Sequence, residues 1–245
     1  MKKSVLLIAI LVGACLNAIA QDIGKIEYKI KLDGEFINQE KLEKKKKLSF
    51  INNALNEHTE QFKFSLVFNK EESIFNVEEQ MTSDHNSRDF RIAKALIGAS
   101  RVYYLNTKSN LSLNQFNAYG QDIIIKDSIS NIKWALTKES KVIDGYTCYK
   151  ANTEKIVINS KGTFKTNVIA WYTPDLNYNF GPKGYAGLPG MILELNDNKF
   201  IYYAFKINLN MANQIKIDKP KKGKIMTKSE FTELENNIDN TFGQK

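Results

Sequence analysis

"IGKIEYKIKLD", residues 23–33, sets Ile26, Tyr28, Ile30 and Leu32 against Lys25, Glu27, Lys29 and Lys31. Alternation at period two puts the apolar side chains on one face of an extended chain, so the stretch predicts a half-buried strand. Similar runs follow: "QFKFSLVF" (61–68), "SIFNVEE" (73–79), "RVYYLN" (101–106), "LSLNQF" (111–116), "DIIIKD" (122–127) and "IKWALT" (132–137). Later ones are "YTCYKA" (146–151), "NVIAWYT" (167–173), "GMILELN" (190–196) and "KFIYYAFKINLN" (199–210). Asp144-Gly145 and Asp197-Asn198 read as two-residue hairpin turns. The pattern predicts a mainly β fold, an antiparallel meander curved into a roll or open barrel. One longer helix is expected near the N-terminus, over 38–60, with Leu48, Ile51 and Leu55 on one stripe. A short C-terminal helix opens with Thr227 and Glu230 as a capping box. Residues 91–100, "RIAKALIGAS", fit a helical turn ending near Gly98 or a buried strand.

The first twenty residues have targeting character. Lys2 and Lys3 precede the apolar run "SVLLIAILV" (4–12), and "AIA" (18–20) has the small-x-small pattern of a cleavage site before Gln21. "VGAC" (12–15) is a loose lipobox that offers lipidation at Cys15 as the rival outcome. The chain is therefore expected to be exported to the periplasm or the outer membrane, with 1–20 as signal peptide and 21–218 as a β-rich domain. A basic linker and terminal helix follow over 219–245, and no transmembrane segment is expected after cleavage. Losing Lys2 and Lys3 removes two charges from a formal net charge of +8. The densest basic run, "KLEKKKK" (41–47), reads as a solvated helix face, or as a contact for an anionic surface. No nucleic-acid motif is present. Cys15 leaves with the signal, so Cys148 stands alone and no internal disulfide forms. His58 and His85 are the only histidines. No Cys/His zinc spacing exists, and neither metal nor cofactor is expected.

"FGPKGYAGLPGMILEL" (180–195) places four glycines and two prolines within residues 180–190, in a chain holding 13 Gly and 4 Pro. Pro189 and Gly190 suit the two central positions of a type II turn, with φ > 0 at the glycine. Leu188 before the proline is pushed to an extended conformation. Residues 174–186 have no consistent period and form a long loop, of the kind that is functional or packed on itself.

"GLPGMI" (187–192) resembles the signature of the GLPGLI family, exported proteins of Bacteroidetes-type bacteria, with Met191 where the name has Leu. "KWALTKESKVIDGYTCYKA" (133–151), "AWYTPDL" (170–176) and "FGP" (180–182) occupy the family's positions upstream. The resemblance covers residues from about 130 to 210 and extends loosely into the N-terminal half. It implies an envelope location and a β-rich fold. The family carries no assigned activity, so it implies no reaction.

No local pattern supplies catalysis. G-x-S-x-G, H-E-x-x-H, P-loop and calcium-loop motifs are missing from the sequence. A lone Cys148 in mid-strand is expected to be buried packing rather than a nucleophile. His58 sits near a helix C-terminus, and Asp84 and His85 form a weak local pair. The binding candidates are Trp171, Tyr172, Tyr178, Phe180 and Tyr185, with the signature residues Gly187, Leu188, Pro189 and Gly190; the aromatics serve a ligand or plug the open end of the roll. The expected function is a cell-envelope binding or accessory module for a partner protein, a peptide or a lipid-like molecule. The alternative is a hydrolase acting on envelope polymers, with carboxylates gathered from several strands.

Overall fold

The period-two stretch that opens the fold is strand β1, Ile23–Leu32. Ile26, Tyr28 and Ile30 are fully buried, while Lys25, Glu27 and Lys29 are only partly covered. The structure, a computed structural model, describes residues 23–44, 48–78, 87–159, 162–211 and 216–242. The signal peptide with Cys15, Lys45 to Lys47 of the basic run, and Asp84 and His85 lie outside the described residues.

After β1 come helices α1 (Gln39–Lys44) and α2 (Ser49–His58), then β2 (Lys63–Phe68), β3 (Glu72–Val77) and helix α3 (Arg88–Ile97). Next are β4 (Val102–Asn106), β5 (Leu111–Ala118), β6 (Gln121–Ser128), β7 (Ala135–Ile143), β8 (Tyr146–Asn159) and β9 (Gly162–Thr173). The chain ends in β10 (Met191–Asp197), β11 (Phe200–Met211), β12 (Lys224–Met226) and helix α4 (Lys228–Phe242). One sheet holds all the strands among the described residues, in the order β12-β6-β5-β4-β3-β2-β1-β11-β10-β9-β8-β7. It consists of two antiparallel meanders, β1 to β6 and β7 to β11, joined where β1 pairs with β11. Only β12 runs parallel to its neighbour, β6. The sheet stays open, with β7 and β12 as its edges, and curls until α4 touches both β6 and β8.

The concave face carries the main core. Tyr28, Phe64, Leu66, Phe75, Ala170, Leu195 and Tyr202 from successive strands meet there. Phe64 stacks on Phe75 with ring centroids 5.3 Å apart, and Tyr202 meets both edge-on. Fully burying one such side chain contributes about 1.5–3 kcal/mol. Helices α2 and α3 close one side, with Phe62 stacked on Phe90. Residues 88–97 take the helical alternative. Ser87 accepts from the Phe90 amide at the start, and Gly98 ends the helix in the left-handed region. At α4 the expected capping box forms: Thr227 Oγ1 accepts from the Glu230 amide at 3.2 Å and Glu230 accepts from the Thr227 amide at 2.6 Å.

Of the two expected hairpin turns, one forms in place and one is displaced. Asp144 and Gly145 both have positive φ, as the expected hairpin turn requires. The later hairpin is displaced by one residue: Asp197 pairs with Phe200, so Asn198-Lys199 make the turn and Asp197 stays in the strand. The "KPKKGK" stretch leads into β12, and Ile217 packs on Tyr104, Leu113 and Ile124 on the convex face.

Candidate functional site

Residues 174–190 leave β9, cross the concave face and return into β10. Backbone pairing fastens this loop. Phe180 and Ala186 bridge each other, the Gly187 amide donates to Asn179 O, and the Met191 and Ile192 amides donate to Leu176 O and Phe180 O. The Trp134 indole N–H donates to Ala186 O at 2.9 Å. From below, the Tyr28 hydroxyl donates to Ile192 O at 2.6 Å, and burial pushes that phenol well above its ordinary pKa. The type II expectation at Pro189-Gly190 is corrected. The Gly190 amide donates to Leu188 O at 2.8 Å, a three-residue γ-turn around Pro189, with Gly190 at φ +150°.

The loop brings one charge to a position no local pattern indicates. Lys183 lies between Pro182 and Gly184 at φ +55°, ψ +27°, a region that non-glycine residues enter at a cost of about 1–2 kcal/mol. From there its ammonium donates to the Asp197 carboxylate, which is 2% exposed at the end of β10. Lys155, two strands away on β8, reaches both carboxylate oxygens at 3.3 Å. Register explains the meeting: Asp197 pairs with Val168, Val168 with Thr153, and Lys155 lies two residues further along the same face. Burial pushes the Asp197 carboxyl up, but the Lys183 and Lys155 ammoniums outweigh it and hold the group below its ordinary value. Tyr103, Tyr185 and Tyr202 surround the cluster, with Lys183 Nζ 5.4 Å from the Tyr202 ring centre. Burial raises all three phenols, so they remain neutral donors. The group carries one ammonium more than it has carboxylates. It opens to solvent on the Lys155 side, where that side chain is 42% exposed against 15% for Lys183.

A second network lies along β7, β9 and β10. Lys141 Nζ is 2.8 Å from Glu194 and 4.4 Å from the centre of the Trp171 ring. Lys25 pairs with Glu78 at 2.5 Å and approaches Glu27, which Lys206 also reaches. Among the described residues, no three His, Cys, Asp or Glu side chains gather in a group that could hold a metal ion.

The sequence-derived site residues divide. Phe180 and Leu188 are buried in the crossing loop, and Gly190 is buried at its end. Tyr178 meets Phe68 edge-on at 4.6 Å and Tyr185 tilts on Trp134 at 6.0 Å, both half-buried. Gly187 and Pro189 are exposed. Trp171 and Tyr172 are strand neighbours: Tyr172 is buried near Tyr149, while Trp171 lies with Lys141 and Glu194. The nine residues therefore do not form one patch. Of the group, Tyr185 lies close enough to Asp197 for its phenol to feel that charge. His58 ends α2 and packs edge-on against Phe90. Cys148 is fully buried, its Sγ 3.6 Å from Tyr146 O, and burial pushes the thiol up to about 11. Thiol reagents should label the native protein slowly at pH 8 and rapidly in denaturant; fast native labelling would restore Cys148 as a reactive group.

The fold and this network define a β-rich, open-sheet domain with carboxylate–lysine pairs spanning several strands. Two solved structures of PNGF-II, in C2 and P21 space groups, share the fold at TM-scores of 0.52 and 0.51, with 17% and 15% identity over 86% and 88% of this chain. The chain spans about a third of the length of those structures, 32% and 33%. At such identity the likeness is one of fold. A family model described as a protein of unknown function (Porph_ging) matches residues 159–194, which include the whole crossing loop and the 187–192 signature. No curated protein matches the chain. No helix among the described residues is long and apolar enough to cross a membrane.

Proposed function

We propose that the chain is an exported domain of envelope-polymer hydrolysis, with the Asp197–Lys155–Lys183 group and the surrounding tyrosines as its polymer-facing site. A distant fold relation to PNGase-F-like hydrolases, through the likeness to PNGF-II, supports the hydrolytic context. The observation that carries the reading is the buried Asp197 held by two lysines from separate elements, one of them at a strained backbone position. Packing alone does not call for such a group, since well-packed apolar residues serve stability equally well. Its excess positive charge and neutral phenol donors suit an anionic or hydroxyl-rich polymer segment entering past Lys155. Asp197 stays ionised at working pH, so its role is to fix the ammoniums, which face developing negative charge, rather than to donate a proton. Tyr185, beside Asp197, supplies a flanking contact.

One observation favours a second reading, an accessory binding module without turnover: Asp197 is clamped on both sides and 2% exposed. The two separate in one experiment. Purified protein is incubated with isolated envelope polymer, and released fragments are counted by mass spectrometry beside a polymer pull-down. The hydrolase reading expects release that falls roughly 100-fold or more in Lys155→Met, a change at a half-exposed position that leaves the fold intact. Pull-down without release gives the accessory reading. Neither release nor pull-down removes both.

A further inference from the structure

We propose that Arg101 anchors an oxyanion subsite on the concave face, beside the Asp197 group, that takes a carboxylate or phosphate of an acidic glycan. Arg101 follows α3 directly, and its amide donates to Gly98 O at 3.1 Å. The β4–β5 register pairs Val102 with Gln115 and Tyr103 with Asn114. Continued by one residue, it brings Arg101 opposite Phe116. The guanidinium carbon lies 3.7 Å from the centre of the Phe116 ring. Phe231 of α4 meets the same ring edge-on at 5.3 Å, so the platform under the guanidinium is held from a second side. A guanidinium stacked on an aromatic face keeps its N–H donors at its rim, in the plane where an oxyanion accepts two parallel bonds. The protein does not use those donors. Among the described residues Arg101 forms no ion pair, and its guanidinium makes no hydrogen bond.

Tyr103 ties Arg101 to the Asp197 group. It stands two residues along, on the same face of β4, and its phenol feels Arg101, Lys155 and Asp197 together. Asp197 is also the carboxylate felt by Tyr185 and Tyr202. Arg101, Lys155 and Lys183 thus share this part of the face with one carboxylate, which the two lysines already hold. Arg101 is the cation left without a counter-charge. Asn114 is an independent sign. It lies opposite Tyr103 and on the face of Phe116, and its Oδ1 is buried with no hydrogen-bond partner among the described residues. A buried polar atom left unpaired is costly, and a ligand hydroxyl would satisfy it. A neutral chain would serve Asn114 and leave Arg101 uncompensated. An oxyanion with hydroxyls beside it serves both, which is why the two residues together point to an acidic sugar. The inference rests on the Asp197 group being polymer-facing; it does not rest on hydrolysis.

Calorimetric titration of the purified protein tests this with three hexasaccharides: one bearing uronate carboxylates, one bearing phosphate esters and one neutral. At least one acidic probe should bind roughly 10-fold or more tightly than the neutral one, and the tighter of the two names the oxyanion. Arg101→Gln should bring that affinity down to the neutral level. Arg101→Lys should restore only part of it, since an ammonium lacks the two-pronged donor plane. Arg101 also lies at the C-terminal end of α3, where a cation favours the helix. A lower melting temperature with unchanged acidic affinity would assign it that role alone and overturn the proposal. If the variants unfold, phenylglyoxal modification of the wild type decides. The acidic probe should protect Arg101, and not Arg88 or Arg91, in a mass-spectrometric map; equal labelling of Arg101 with and without the probe overturns the proposal. Equal affinity for acidic and neutral probes overturns it while the polymer-facing site stands. Acidic binding without polymer release supports it while hydrolysis falls. Binding of none of the probes overturns it, and the polymer pull-down then shows whether the polymer-facing reading falls too.

Discussion

Gly190→Ala should destabilise the protein by about 3–5 kcal/mol, summing a strained backbone region with a steric clash in a packed interior. For a domain of this size that is a fall of about 10 °C or more in melting temperature. A Cβ at residue 190 would stand 2.1 Å from Thr173 O and 2.9 Å from Pro174 Cα. Both neighbours are backbone at the point where the crossing loop leaves β9, so neither can turn aside as a side chain would. The amide at 190 already closes the γ-turn on Leu188 O, and Met191 pairs with Thr173 immediately after it. The glycine therefore lets the end of the loop pass against its own beginning. Gly187→Ala is the matched control. Its φ is +89°, but an added Cβ meets only Ile129 at 3.9 Å, so its cost is the conformational part, about 1 kcal/mol. Chemical denaturation of the two variants measures the difference. Equal losses would show that φ alone explains the glycine and that the close approach is unimportant.

The strands were legible wherever one face is buried. β1 and β11 alternate cleanly because the concave face takes every second side chain. Edge strands carry less signal. β7 reads "ALTKESKVI", with polar residues on both sides, because it borders solvent and pairs only with β8; the sequence reading placed it three residues too early. β12 is three residues long and exists through a parallel pairing with β6 that no local period can announce. The Pro-Gly pair at 189–190 is compatible with more than one turn, and the approach of Thr173 O selects among them. The charged site was hidden for two reasons. Asp197-Asn198 reads as a turn, which removes Asp197 from the strand. Its partners lie 42 and 14 residues away in sequence, and only the β8–β9–β10 register and the loop crossing bring them in. The division of Trp171 from Tyr172, by contrast, follows from period two alone.

Asp197→Asn should destabilise the protein by about 3–5 kcal/mol at neutral pH, the usual consequence of removing one member of a buried ion pair. The side chain it replaces is 1% exposed, and Lys183, at 15%, would keep its charge without a carboxylate. Lys155 adds little to this loss because its side chain is 42% exposed and water can take over. The double change Asp197→Leu/Lys183→Met removes both charges and should recover most of the stability, since an apolar pair of similar volume avoids the desolvation cost. The pH dependence follows from the direction of the Asp197 shift. Its carboxyl titrates lower in the folded protein than in the unfolded chain. Its contribution is therefore complete above the ordinary aspartate value, about 3.9, and is lost as pH falls from there through the folded value. Urea melts at pH 7 should separate wild type from Asp197→Asn fully, and the gap should narrow steadily as pH falls below the ordinary aspartate value. A gap that persists unchanged at low pH, or a double variant as weak as the single, would mean that Asp197 acts through its shape and hydrogen bonds rather than its charge. The ionised carboxylate would then no longer be what holds Lys183 in its strained position.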